Sequence, residues 1–248
     1  MSMPGLADWL ATPQGRYVVA WEEEQFDAIV ADIFGYNALQ VSLCELDLLR
    51  ANRMPFRFRC GREAGVAVLA AGDALPFASS SLDLVLLPHG LEFSPHPHQV
   101  LREVERVLVP EGSVVVSGFN PYSLWGLRRR LAGAVGDFPW QGQYLSVGRI
   151  KDWFALLGFE AGAARFGVHR PPARLAQSLE RCRFLEFIGA RWWPVLGGAY
   201  VLHGIKRVSG MRLIQPQWRR GRATAKALAP VAQREGKVAQ RRDGRAHG

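Results

Sequence analysis

A chain of 248 residues with 48% hydrophobic and 21% charged residues has the composition of a globular protein long enough to bury one substantial core. No apolar run reaches the roughly 18 to 20 residues that a membrane span needs, and Cys44, Cys60 and Cys182 show neither metal-ligand spacing nor the even number of a disulfide framework. The formal charge of +9 is concentrated at one end: nine Lys/Arg and two acids lie from Pro216 onward, leaving +2 for everything before.

The start, Met1 to Asp8, has no basic flank followed by an apolar stretch, so it does not read as a secretory signal. With cysteine usage of this kind, a reducing cytoplasm is the expected location. Residues 1–35 read as a helical segment, with Leu6, Trp9 and Leu10, then Tyr17, Val18 and Trp21, then Phe26, Ile29, Val30 and Ile33 at helical spacing. Gly35-Tyr36-Asn37 breaks the pattern, and Ala38–Leu43 reads as a short strand. Arg57–Cys60 is a second short strand and Gly65–Ala70 a third, ending at Gly72-Asp73. Leu82–Leu87 is almost continuously apolar, as a strand covered on both faces would be.

Pro97–Val109 carries Val100, Leu101, Val104, Val107 and Leu108 on one helical face. Pro110-Glu111-Gly112 is expected to end that helix, and Ser113–Gly118 to form the next strand. A strand, a helix and a strand in so few residues indicate a parallel sheet with helices on its faces. Further helices are expected over Leu124–Leu131, Val147–Leu157 and Leu175–Trp193. Strands are expected over Phe159–Val168 and Ala199–Lys206. The helical insert 173–195, with its Phe184, Leu185, Phe187, Trp192 and Trp193, is expected to pack into the core, a lid or a dimer surface being the alternatives. Beyond Pro216 the periodicity fades, and residues 211–248 read as a basic flexible tail able to contact acidic partners, including nucleic acid, through counterion release.

Asp73-Ala74-Leu75-Pro76-Phe77, Leu82-Asp83-Leu84-Val85, Glu103-Val104-Glu105-Arg106-Val107-Leu108-Val109-Pro110-Glu111-Gly112 and Ser113-Val114-Val115-Val116 stand in one order. That order and spacing resemble the class I S-adenosylmethionine-dependent methyltransferases, specifically their type 11 subgroup. Leu156-Leu157-Gly158-Phe159 and Tyr200–Arg207 resemble later pieces of the same pattern, so the resemblance covers residues 36–210. It implies an α/β Rossmann-like sheet of seven-stranded type, mostly parallel, with helices on both faces. It also implies S-adenosyl-L-methionine as cofactor and a small-molecule methyl acceptor.

By the same resemblance Asp73 would accept a hydrogen bond from the adenine amino group, with Ala74 and Leu75 beside the ring. Pro88, His89 and Gly90 would follow the central strand into the methyl-transfer pocket. Glu63 would be the acid for the ribose hydroxyls. Asn120 and Tyr122 lie just after the Val-rich strand at the same edge, either facing substrate or only forming the turn into the next helix. The catalytic candidates are thus His89, Asn120 and Tyr122.

The sequence departs from the family at the first loop. Where a Gly-x-Gly turn lets the backbone approach the cofactor, Ala38–Glu45 holds no glycine. An inactive scaffold binding RNA or another acidic partner through the tail is therefore the competing reading. Asp83 begins its strand at the far edge and is expected to be structural. His96-Pro97-His98 is expected to mark a turn rather than a metal site, and Arg128-Arg129-Arg130 a solvated helix face. The chain contains no nucleophile elbow, phosphate-binding Walker loop or zinc-protease motif.

Overall fold

The computed structural model describes residues 5–62, 66–132, 138–172 and 182–207. Helices α1 (Leu6–Leu10) and α2 (Pro13–Val30) come first. Thr12 starts α2: its hydroxyl accepts from Gly15 N, and Pro13 occupies the first turn, where its missing N–H costs nothing. Strands β1 (Asn37–Val41), β2 (Phe56–Gly61), β3 (Val68–Leu69) and β4 (Leu82–Pro88) follow. After them come α3 (Pro97–Val107), β5 (Leu108–Phe119), α4 (Leu124–Ala132) and α5 (Val147–Leu156). The described chain closes with β6 (Phe159–Ala161), β7 (Arg165–Gly167), α6 (Arg183–Trp192), a 3-10 turn (Pro194–Leu196) and β8 (Ala199–Lys206).

The sheet order is β3-β2-β1-β4-β5-β8-β6, with β7 also pairing β8. Strands β1 to β5 pair in parallel, and β8 runs antiparallel to β5, β6 and β7. This is the Rossmann-like, mostly parallel sheet expected from the sequence. Alternating side chains send each strand to two cores. Ala38, Leu84, Leu86 and Val115 meet Val18, Phe26 and Val30 of α2 on one face. Leu39, Val85, Leu87, Val114 and Val116 meet Val100, Leu101 and Val104 of α3 and Ile150 and Phe154 of α5 on the other. No described helix is long and apolar enough to cross a membrane.

Two expected boundaries move. Pro110-Glu111-Gly112 does not separate helix from strand: β5 begins at Leu108. The register against β4 shifts between Leu82 and Leu84, with Glu111 at φ 64°. The segment is a bulge rather than a stop. Phe159–Val168 splits into β6 and β7, both on the edge of β8. Of the expected helix Leu175–Trp193, only α6 lies within the described residues, and the tail 211–248 lies outside them.

Between β1 and β2 the chain turns without a helix. Gln40, fully buried on β1, organises that turn. Its Nε2 donates to the carbonyls of Leu43 and Leu46, and its Oε1 accepts from Leu48 N. One amide thus satisfies backbone groups that a helix would otherwise pair internally. Gln40→Leu, of similar size, is expected to lower the urea-unfolding free energy by about 3 kcal/mol, because several buried polar groups lose their partner at once.

Asp83 behaves as expected. Its Oδ2 accepts from Tyr36 N and Asn37 N, both at 2.9 Å, and so fixes the start of β1 against β4.

Candidate functional site

The strand order reverses direction between β1 and β4. In sheets of this kind ligands bind beyond the carboxyl ends of the strands, at that reversal. Three loops meet this edge: the turn after β1, the segment from β3 to β4, and the segment after β4.

After β3, Ala74 N donates to Ala71 O in a tight turn that puts Gly72 and Asp73 at its corner. Leu75 is buried, and its N–H donates to Glu103 Oε2 at 3.0 Å. Arg106 donates to Leu75 O at 2.9 Å and Phe77 O at 2.8 Å, and pairs with Glu103 at 2.8 Å. Glu103 and Arg106 stand three residues apart on α3, so both reach the same loop. Arg106 holds the Glu103 carboxyl below the usual carboxylate range.

The spacing between the Leu-Pro-Phe run and the Arg-Val-Leu run is thus a physical coupling: the helix clamps the loop by its backbone. Asp73, half-buried, makes no hydrogen bond among the described residues. Arg106→Ala should free the loop, lowering Tm by roughly 2–4 °C in a thermal melt, with the rest of the sheet intact by circular dichroism.

At the end of β1, Ser42 and Leu43 take left-handed φ angles of 71° and 47°. The turn has the handedness that glycine would give, made without one. Ser42 N donates to Cys60 O at 3.1 Å, and Ser42 Oγ donates to Pro88 O at 2.7 Å, joining the ends of β1, β2 and β4. The side-chain-free positions lie instead at the ends of the neighbouring strands. Gly61 closes β2 and Gly90 follows β4, where a Cβ would stand 3.1 Å from Ser42 Oγ.

His89 follows β4 at φ 50° and is 1% exposed. Its Nδ1 meets Glu92 Oε2 at 2.7 Å and its Nε2 meets Glu22 Oε1, from α2, at 2.9 Å. Glu92 Oε1 in turn accepts from Phe119 N, and the ring of Phe119 lies 4.5 Å from that of His89. Burial acts to lower the pKa of the imidazole, but the two carboxylates outweigh it and raise the pKa to about 10. Burial pushes the Glu92 carboxyl up against the opposing pull of His89. Neither Glu22 nor Glu92 carries a sequence motif. Their signal was only an acid on an otherwise apolar helix face and an acid three residues from a histidine.

Asn120 is also buried, its side chain committed to the fold. Nδ2 donates to Val195 O and Gly197 O, and Oδ1 accepts from Tyr122 N. Tyr122, by contrast, is exposed and borders a cleft of about 670 Å³ formed with Leu124, Leu127, Arg130, His169, Leu185 and Trp193. The expected pocket residues therefore separate. Asp73, Leu75 and Pro88 belong to the strand-end edge, with Ala74 exposed beside Asp73. His89 and Asn120 are enclosed, and only Tyr122 faces an open cavity. Glu63 lies outside the described residues.

The arginine triplet is not simply solvated. Arg128 lies over the ring of Trp140 and Arg129 over that of Tyr144, with Arg129 Nε donating to Trp140 O. Of the apolar block expected in the core, Phe184, Phe187, Trp192 and Trp193 are exposed, and Leu185 is half-buried. His96 is the N-cap residue of α3 and His98 lies within its first turn, the His98 ring tilted by 50° against that of Trp153 with centroids 3.9 Å apart.

The methyltransferase domain model of the type 11 family matches residues 34–116. The uncharacterised protein YafS of Escherichia coli is 32% identical over 164 residues, covering 64% of this chain and 68% of its own length. An uncharacterised protein of Mycobacterium tuberculosis is 27% identical over 182 residues, covering 69% of this chain and 63% of its own. A solved structure from Thermotoga maritima, described as a methyltransferase with possible histamine N-methyltransferase activity, superposes with a TM-score of 0.55. It is 16% identical and covers 77% of this chain and 97% of that one. A methyltransferase from Archaeoglobus fulgidus gives a TM-score of 0.53 at 15% identity, covering 77% and 94%. The matched segment contains β1, the Asp73–Phe77 loop, β4, α3 and most of β5, the elements that build the strand-end edge, and this chain belongs to the class I S-adenosylmethionine-dependent methyltransferase family.

Proposed function

We propose that this protein is an S-adenosylmethionine-dependent methyltransferase acting on a small-molecule acceptor. The observation that carries the reading is the Asp73 carboxylate: half-buried, without a hydrogen bond among the described residues, and held at the strand-end edge by the Glu103–Arg106 clamp. A carboxylate kept in that state is suited to accept a hydrogen bond from a bound group. The donor also needs backbone it can approach closely. The left-handed turn at Ser42 and Leu43 supports the fit despite the missing glycines of β1, while Gly61 and Gly90 make room for the side chains of Cys44 and Ser42 that pack around it.

In this reading Asp73 accepts from the adenine amino group, and Leu75 offers the ring an apolar edge. The bound donor supplies a methyl group on a positively charged sulfur, which needs alignment and exclusion of water more than a protein acid or base. His89 then acts as a support. With Glu22 and Glu92 it fixes the segment after β4 and ties α2 to the sheet, so that the strand-end loops keep their shape.

The reading is tested by calorimetry of the full chain with S-adenosylmethionine and S-adenosylhomocysteine. Saturable heat is expected; a folded protein giving no heat at millimolar ligand ends the proposal. The competing reading of a scaffold held to RNA by the basic tail rests on charge alone, since residues 211–248 lie outside the described residues. A chain ending before Pro216 that retains RNA with unchanged salt dependence would remove it.

A further inference from the structure

The cleft beyond β5 has a polar corner that the methyltransferase reading does not use. His169 follows β7 and lines the cleft. It is 9% exposed, and its Nε2 is buried with no hydrogen-bond partner among the described residues. Its other ring nitrogen, Nδ1, faces Glu186 Oε1 of α6 at 3.4 Å. Glu186 Oε2 accepts from His169 N at 3.2 Å and from the Tyr17 hydroxyl of α2. Burial acts to raise the Glu186 carboxyl, but its bonds from His169 and Tyr17 hold it below its ordinary value.

The ring lies flush on the backbone of Gly189, where a Cβ would come within 2.5 Å of it. Three elements therefore fix the imidazole. An ionised carboxylate beside Nδ1 places a proton there and leaves Nε2 as an acceptor. A buried acceptor without a partner normally costs stability unless something binds it.

The rest of the cleft states what else the ligand must be. Leu124, Leu127, Leu185, Trp193 and Leu196 give it apolar walls, and the exposed Arg130 stands at its margin. A volume of about 670 Å³ matches a small molecule rather than a protein helix. We propose that this cleft binds an amphipathic organic anion: an apolar, preferably aromatic body, a hydroxyl donating to His169 Nε2, and a carboxylate or similar group beside Arg130. Tyr17 and Glu186 are positioning residues that hold the His169 ring. The site stands apart from the cofactor reading, because ligand binding here is measured without any methyl donor.

The test is equilibrium dialysis of the full chain against 6-hydroxy-2-naphthoate, 2-naphthoate and 2-naphthol. The hydroxynaphthoate should bind best. Removing either its hydroxyl or its carboxylate should weaken binding about tenfold, the worth of one well-placed hydrogen bond or charge contact. In His169→Phe the preference for hydroxynaphthoate over 2-naphthoate should vanish, and in Arg130→Gln the preference over 2-naphthol should vanish. Both are ratios within one variant, so a modest loss of stability does not move them. Leu127→Trp, at an exposed position on the cleft, should abolish binding of all three with an unchanged circular dichroism spectrum. Equal binding of the three probes by the unmodified protein overturns the proposal. So does hydroxyl discrimination that survives in His169→Phe, or a cleft closed to all probes because two copies of the chain cover it.

Discussion

Replacing Asp73 by Ala is expected to weaken S-adenosylhomocysteine binding ten- to a hundredfold, the loss of one hydrogen bond to a charged acceptor worth about 1.5–3 kcal/mol. The carboxylate has no described partner to inherit the bond and none to release when it goes, so the effect should appear in affinity and not in stability. Asp73→Asn keeps one acceptor oxygen and should fall between the two. Asp32→Ala, an exposed acid after α2, serves as the control and should bind as the unmodified chain does. Calorimetry of the four proteins reads the series. If Asp73→Ala binds with unchanged affinity while the protein does bind, adenine lies elsewhere on the sheet edge.

The second large effect concerns folding. His89→Ala should lower the unfolding free energy by about 3–5 kcal/mol at pH 7, because it leaves two buried glutamates facing an unneutralised gap. The pH dependence has a definite sign. The folded-state pKa of His89 is raised to about 10, above the roughly 6.5 of an unfolded chain. The folded protein therefore keeps a proton that the unfolded chain gives up. The contribution of His89 is complete below about pH 6.5 and drains away as pH climbs through about 10. Urea unfolding from pH 7 to 10.5 should show the unmodified protein losing stability faster than His89→Gln, which has no proton to lose. Lysines and tyrosines titrate in the same window, so the difference between the two proteins carries the information. Parallel slopes would mean that the imidazole is neutral in the folded state.

Much of the scaffold was legible because local patterns and global packing agree. The apolar run Leu82–Leu87 is the central strand β4, and the stripe from Val100 to Val107 is the buried face of α3. Ala199–Lys206 is the closing antiparallel strand. The Asp73 loop was legible through the resemblance of its motif and of the Arg106-Val107-Leu108 run to the methyltransferase pattern, and the structure joins the two as a clamp between a helix and a loop backbone. Where local and tertiary signals diverged, the sequence misled. Pro110-Glu111-Gly112 has the composition of a helix stop, yet pairing with β4 carries the strand through it as a bulge. Phe184, Phe187, Trp192 and Trp193 have the composition of a core, yet stand exposed.

What the sequence determined by itself is the order of strands and helices, through periodicity, and the Asp73 loop, through a motif that resembles a known family. Only the tertiary structure decided which polar residues meet. Glu22 and His89 are 67 positions apart in number, and Tyr17, His169 and Glu186 come from three elements. No periodicity encodes such meetings. They arise when α2 lies across the sheet and α6 covers the end of β7, and burial then obliges every charge brought inside to find a partner. His89 found two carboxylates; His169 Nε2 found none among the described residues, and the ligand proposed for the cleft rests on that difference.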